Sequence, residues 1–178
     1  MARFWALCLM MAFLILVDQL SKGAIQTNLY YGQSIPVIDG FFSIAYVKNT
    51  GAAFGFGAGA HEWFRIIMFL VLPVIFCGWI FVMIIKTLKS PFYLCLAYAL
   101  ILAGAVGNLI DRFSLGYVVD FLLFYWKDEA NHFPAFNVAD SCITVAAGLL
   151  IIDFFKTYKE QREAKKAGTN VSNPLSKP

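Results

Sequence analysis

Two aspartates set the chemistry this chain can do. Asp120 follows Val118-Val119 and precedes Phe121, and Asp140 closes the run Phe136-Asn137-Val138-Ala139-Asp140. Both sit among apolar residues, where an ionised carboxylate is costly and usually functional. They are twenty positions apart, enough chain for a hairpin that runs out and back and brings the two carboxyls together. Carboxylates so placed titrate as a coupled pair holding one proton between them. One then accepts a proton from water while the other gives one to a carbonyl oxygen. That is aspartyl-protease chemistry, and it calls for no metal and no cofactor. Taken singly, each has a blander role: Asp140 as a helix cap, Asp120 in a solvated loop.

Other polar residues gather nearby in the chain. Asp18 and Lys22 are four apart with the acid first, the favoured order for an ion pair on a helix, and a structural pair closing the first helix explains them equally well. Asn108 shares a helix face with Asp111 and Arg112, which themselves point about 100° apart. Asn137 precedes Asp140 by three. Ala99, Ala103 and Gly107 form a stripe of small residues at spacing four, thinned further by Gly104. Such stripes let helices approach closely, so this polar cluster is expected to press against a neighbouring helix.

The elements that must position these groups are membrane spans. Of 178 residues, 60% are hydrophobic, 17% aromatic and only 14% charged, with a mean hydropathy of +0.70. Soluble domains carry about a quarter charged residues, and a chain of this size cannot enclose so much apolar surface in water. A spanning helix needs about 20 mostly apolar residues. Four stretches qualify, at about 4–20, 63–85, 92–110 and 138–155, the second with Pro73 and Gly78 inside it. The fold class expected is an all-α integral membrane protein of four transmembrane helices, with a small β-rich cradle and loop outside. Residues 1–158 make a single membrane domain and 159–178 a polar tail. Outer segments cover about 21–62 and 111–137. Residues 41–47 read as a short strand and 113–137 as a hairpin at the membrane surface. Glycines 51, 55, 57 and 59 suggest a loop that closes over a substrate. The first stretch is read as a true span, since Asp18 follows its apolar core with no small-residue cleavage site.

Four spans put both termini on one side. Lys and Arg divide nine to five in favour of that side, which places the termini in the cytoplasm. Cys8, Cys77, Cys95 and Cys142 lie in or beside apolar runs without metal-ligand spacing, and read as small buried hydrophobes.

These motifs, taken in order, resemble the bacterial lipoprotein signal peptidases (signal peptidase II). The likeness runs from about residue 4 to 155. It comprises Asp18-Gln-Leu-Ser-Lys22, Asn49-Thr-Gly-Ala-Ala-Phe-Gly55, Gly104-Ala-Val-Gly-Asn-Leu-Ile-Asp-Arg112, Val118-Val-Asp-Phe121 and Phe136-Asn-Val-Ala-Asp140. Ala103 stands where many members carry a second glycine. The resemblance implies an aspartyl endopeptidase of the inner membrane that cuts prolipoproteins just before a diacylglyceryl-modified cysteine. It implies Asp120 and Asp140 as the catalytic pair. Asn49, Gly51, Asn108, Asp111, Arg112 and Asn137 are then expected around the site, with Asp18 and Lys22 as the first-helix motif. Prolipoproteins and membrane lipids are the expected partners, nucleic acid is not, and the chain is expected to act as a monomer.

Two other functions compete. A small transporter or proton channel also carries intramembrane Asp, Asn and Arg, but here the ionisable groups crowd one end and form no path across. A non-catalytic scaffold would use the same carboxylates structurally. His61-Glu62 lacks the second histidine of a zinc-protease helix, and the basic run Lys156 to Lys166 suits anionic lipid heads.

Overall fold

The structure is a computed structural model that describes residues 1–51 and 59–166. Four of its helices are long and apolar enough to cross a membrane: Ala2–Asn28, Glu62–Thr87, Phe92–Leu115 and Val138–Lys166. They are referred to below as the first to fourth spans. Large apolar side chains such as Trp5, Phe13, Ile75, Trp79 and Phe154 point outward from the bundle, as lipid allows and water would not. The first span runs eight residues past the expected end at Leu20, so Asp18 and Lys22 lie inside it rather than closing it.

With apolar tails as solvent, burial alone does not hold such helices together; close packing does. The third span is the centre. Half of its most apolar window is buried, against 11% of the first and second. Its small residues explain this. A β-carbon on Gly104 would collide with the Ala139 carbonyl oxygen and come within 2.7 Å of Ile143. One on Gly107 would lie 2.7 Å from Asp18 Oδ2 and 3.2 Å from the Ala139 β-carbon. The stripe therefore packs against the fourth and first spans at once. Ala103 is 2% exposed and fits without a glycine's freedom. Pro73 in the second span has no N–H to give, and the helix widens to a π-turn at Ile67–Val71 just before it.

Four strands join the two outer segments into one antiparallel sheet of order β1-β2-β3-β4: β1 Ser34–Ile38, β2 Phe42–Asn49, β3 Val118–Trp126 and β4 Asp128–His132. The expected strand at 41–47 and hairpin at 113–137 are both present, as β2 and as β3–β4. The pairing of β2 with β3 was not foreseen. Ile25 of the first span packs with Tyr46, Val119 and Phe121, so the overshooting turns of that helix seat the sheet on the bundle. The glycine loop expected to close falls mostly in 52–58, outside the described residues.

Candidate active site

The third span stops at Leu115 because Gly116 takes a left-handed φ of 78° and returns its N–H to Arg112 O at 3.2 Å. The chain then turns into β3 and carries Asp120 across the end of the bundle. In the β2–β3 register Val47 faces Asp120 and Asn49 faces Val118, so Asn49 and Asp120 are diagonal neighbours on one face of the sheet. Asn49 Nδ2 donates to Asp120 Oδ2 at 3.1 Å. Its own Oδ1 accepts the Gly51 N–H at 3.0 Å, a tight Asx turn that aims the amide.

Asp140 arrives from the other direction, in the first turn of the fourth span. The Asp140 N–H donates to Asn137 Oδ1 at 2.9 Å, and the Asn137 N–H donates to Asp140 Oδ2 at 3.3 Å. This reciprocal cap begins the helix. Capping and site membership are thus not alternatives for Asp140. Its Oδ1 accepts Asn108 Nδ2 at 2.8 Å, while Asn137 Nδ2 donates to Asp120 Oδ1 at 2.7 Å. One side chain, Asn137, therefore holds both carboxyl-bearing residues.

Asp120 is 2% exposed. Burial pushes its carboxyl up to about 7, and the neighbouring charge of Asp140 adds to the rise. Hydrogen bonds from Asn49 and Asn137 and the charge of Lys22 pull the other way. A carboxyl balanced near neutrality can serve as an acid at working pH.

Behind the pair lies a fully partnered charged cluster. Lys22 Nζ reaches Asp18 Oδ2 at 2.8 Å, Asp111 Oδ2 at 3.1 Å and Asn108 Oδ1 at 3.0 Å, which uses all three of its protons. Asp111 Oδ2 also accepts the Val119 N–H at 2.9 Å, beside Asp120 on β3. Asp18 Oδ1 accepts the Ala139 N–H at 2.9 Å, beside Asp140. The first-helix pair is thereby tied to the strand and helix that bear the two carboxylates.

All ten site residues expected from the sequence meet at this end of the bundle. Arg112 does so in an unexpected way. Its Nη2 donates to the Gly51 carbonyl at 2.8 Å and its guanidinium lies 5.7 Å over the Phe69 ring, so it steadies the turn after Asn49. Two contributors were missed. Gln19 Nε2 donates to Asp111 Oδ1 at 2.9 Å and to the Gly107 carbonyl at 3.1 Å. Arg65 donates to the Thr50 and Gly116 carbonyls at 3.2 and 3.3 Å. A polar glutamine inside an apolar helix was a signal for the first; Arg65 left none. On the Arg112 side of the site, with neither aspartate in its lining, opens a cavity of about 310 Å³ lined by residues that include Thr50, Glu62, Arg65, Phe69 and Arg112.

A four-span helical membrane protein with two carboxyl-bearing residues tied to one asparagine at one end of its bundle fits one class: a membrane-embedded peptidase of the aspartic type. Residues 10–156 match the family described as Signal peptidase (SPase) II. The lipoprotein signal peptidase of Syntrophus aciditrophicus is 42% identical over 147 residues, covering 83% of this chain and 90% of its own length. That of Geobacter sulfurreducens is 45% identical over 150 residues, 84% and 90% of the two chains. That of Pseudomonas aeruginosa is 43% identical over 148 residues, 83% and 86% of the two chains. A solved bacterial membrane enzyme superposes with a TM-score of 0.73 at 30% identity, over 94% of each chain. The chain belongs to the signal peptidase II family.

Proposed function

We propose that this chain removes signal peptides from prolipoproteins with Asp120 and Asp140 as its catalytic pair, cutting on the N-terminal side of a diacylglyceryl-modified cysteine. The observation that carries the reading is the double grip of Asn137 on the two aspartates, with Asp120 buried and balanced near neutral pH. Asp140 takes a proton from a water as its oxygen attacks the scissile carbonyl carbon. Asp120 gives its proton to the carbonyl oxygen, forming a tetrahedral diol. The diol returns one hydroxyl proton to Asp120, the C–N bond breaks, and the departing nitrogen takes the proton held by Asp140. A new carboxyl and a free amine on the cysteine result. Asn49 and Asn137 hold Asp120, and Asn108 holds Asp140, so the carboxyls need little reorganisation.

The site sits at the outer leaflet of the bacterial inner membrane, with both termini in the cytoplasm, as the nine-to-five division of basic residues supports. The apolar signal helix enters sideways from lipid. The cavity at Arg65 and Arg112 combines guanidinium donors with the Phe69 ring and suits the polar backbone around the lipid-bearing cysteine. A transporter reading gains nothing from the geometry, because the buried ionisable groups among the described residues collect at one end of the bundle.

The test is cleavage of a diacylglyceryl-modified prolipoprotein peptide by the purified chain. Asp120→Asn and Asp140→Asn should each abolish product while leaving membrane insertion intact. Full cleavage by either variant removes that residue from the mechanism.

A further inference from the structure

The catalytic reading does not by itself explain why a lysine is buried on the far side of Asn108. Lys22 is 2% exposed and its charge is already matched by Asp18 and Asp111 on either side of it. Its third proton goes to Asn108 Oδ1. An ammonium group has no lone pair, so the atom it touches on Asn108 must be the oxygen. The Asn108 N–H groups are then forced toward Asp140 Oδ1, at 2.8 Å. At the other carboxylate the same logic holds. The Asp140 backbone N–H, also unable to accept, fixes the Asn137 oxygen, so Asn137 Nδ2 must face Asp120.

We propose that Lys22 is a positioning residue that decides which member of the catalytic pair holds the shared proton, by fixing the direction of the Asn108 amide. Without Lys22 the Asn108 oxygen loses its charged donor and keeps the neutral one, Asn137 Nδ2 at 3.1 Å, so the amide can turn half a revolution about its last torsion far more readily. Its oxygen would then face Asp140 Oδ1, and two oxygens at hydrogen-bond distance require a proton between them. Asp140 would become the protonated partner and Asp120 the ionised one, the reverse of the order that the mechanism uses. Asn137 opposes the turn only as a neutral donor: its Nδ2 lies 3.1 Å from the Asn108 oxygen and would face the turned Asn108 nitrogen, so it has to draw back, and Asp120 at 2.7 Å and the Val119 carbonyl at 3.3 Å still accept both of its protons when it does. The charged groups that surround this device are Asp18 from the first span, Asp111 and Arg112 from the third, Asp140 from the fourth and Asp120 from β3.

This inference rests on the assignment of Asp120 and Asp140 as the catalytic pair, and its test separates the two. Three variants of the full chain are compared on a diacylglyceryl prolipoprotein peptide: Asp111→Asn, Lys22→Met with Asp111→Asn, and Lys22→Gln with Asp111→Asn. Both doubles lose one positive and one negative charge, so the cluster keeps its net charge. The Met double is expected to lose about 100-fold in kcat with KM little changed, relative to Asp111→Asn. Its pH–rate profile should move to higher pH, because the pair has lost a donor and a nearby cation. The Gln double, which still offers an N–H to Asn108, should recover most of kcat. Equal kcat in the Met and Gln doubles, or a Met double with the pH profile of Asp111→Asn, overturns the proposal.

Asn108→Asp guards against a double that fails to fold. It keeps Lys22 paired and permanently turns an oxygen toward Asp140, so it should reproduce the fall in kcat; kcat close to that of the unaltered chain overturns the proposal equally. Failure of these tests while Asp120→Asn and Asp140→Asn remain inactive removes only the role of Lys22. Cleavage by either of those two variants removes the catalytic reading itself.

Discussion

The two ends of this bundle use polar residues in opposite ways. At the site end, Asp18, Lys22, Asn108, Asp111, Asp120 and Asn137 are all buried, and among the described residues no buried side-chain N or O lacks a partner. Each has a partner on a different element, so the network determines how the first, third and fourth spans and β3 sit together. At the other end the buried polar contacts are those of Thr87, whose hydroxyl bonds its own helix and whose carbonyl accepts the Cys95 thiol, and the charged contacts are half-open. Arg3 donates to the Leu88 and Ser90 carbonyls at 2.6 and 2.8 Å, Tyr93 donates to Asp153 at 2.8 Å, and Lys156 lies 5.7 Å over the Tyr93 ring. Lys159 and Glu163 make a pair at 4.0 Å with both side chains mostly in solvent. One end is built to hold a geometry; the other tidies helix ends. The consequences of mutation should differ accordingly.

The largest difference is expected at glycines. Gly104→Val pushes into the Ala139 backbone and forces the third and fourth spans apart, two residues from Asn137 on one side and four from Asn108 on the other. Overpacking of this kind costs about 3 kcal/mol or more, and folded protein recovered from membranes should fall sharply. Gly78→Val in the second span meets nothing within 4 Å and should leave yield and cleavage unaltered. Equal behaviour of the two would erase the contrast.

Next comes the hydrogen bond from Asn49 to Asp120. Asn49→Ala removes one of two donors on that carboxyl and should lower kcat about 100-fold. The remaining activity should also shift its upper pH limb, since Asp120 loses a group that opposes protonation. Unchanged kcat would mean that the turn at Gly51 has no catalytic purpose.

A smaller effect concerns stability against pH. The Asp120 carboxyl is held at about 7 in the fold, above its ordinary value of 3.8. Between those values the folded chain binds more protons than the unfolded one, so this group makes stability fall as pH rises. Each unit of upward shift corresponds to about 1.4 kcal/mol at most. Melting in detergent should therefore be higher at pH near 5 than near 8 by a margin that Asp120→Asn removes. The smallest effect belongs to the other end: Arg3→Ala should cost about 1 kcal/mol in stability with no change in cleavage.

The same contrast explains what could be read from the sequence. Spans are legible because lipid imposes one local rule, a long apolar run: all four starts were placed within two residues, while the first and fourth helices run eight and eleven residues past their expected ends, where polar residues take over. The ten residues that meet at the candidate site could be picked out because nine are polar groups that stand out against that background, and all ten fall into motifs. The β2–β3 pairing was not, because it joins strands about 70 residues apart and leaves no local periodicity linking them. With the pairing went the direct contact of Asn49 with Asp120, which depends on register. The length of the first span was misjudged at Asp18, where a charge looked like an end. Its pairing with Lys22 was legible from the spacing of four; the Ala139 N–H that also answers the charge was not. Arg112 was expected near the carboxylates and does feel the charges of Asp140 and Asp120, but its hydrogen-bond partner, the Gly51 carbonyl, could not be inferred from spacing.

The most direct test of the shared-proton pair is the pH dependence of kcat on a lipidated prolipoprotein peptide. With Asp120 as the acid, kcat should fall as pH rises through about 7, where that carboxyl gives up its proton. A kcat that stays level well above and well below that value would contradict a mechanism in which Asp120 supplies the proton.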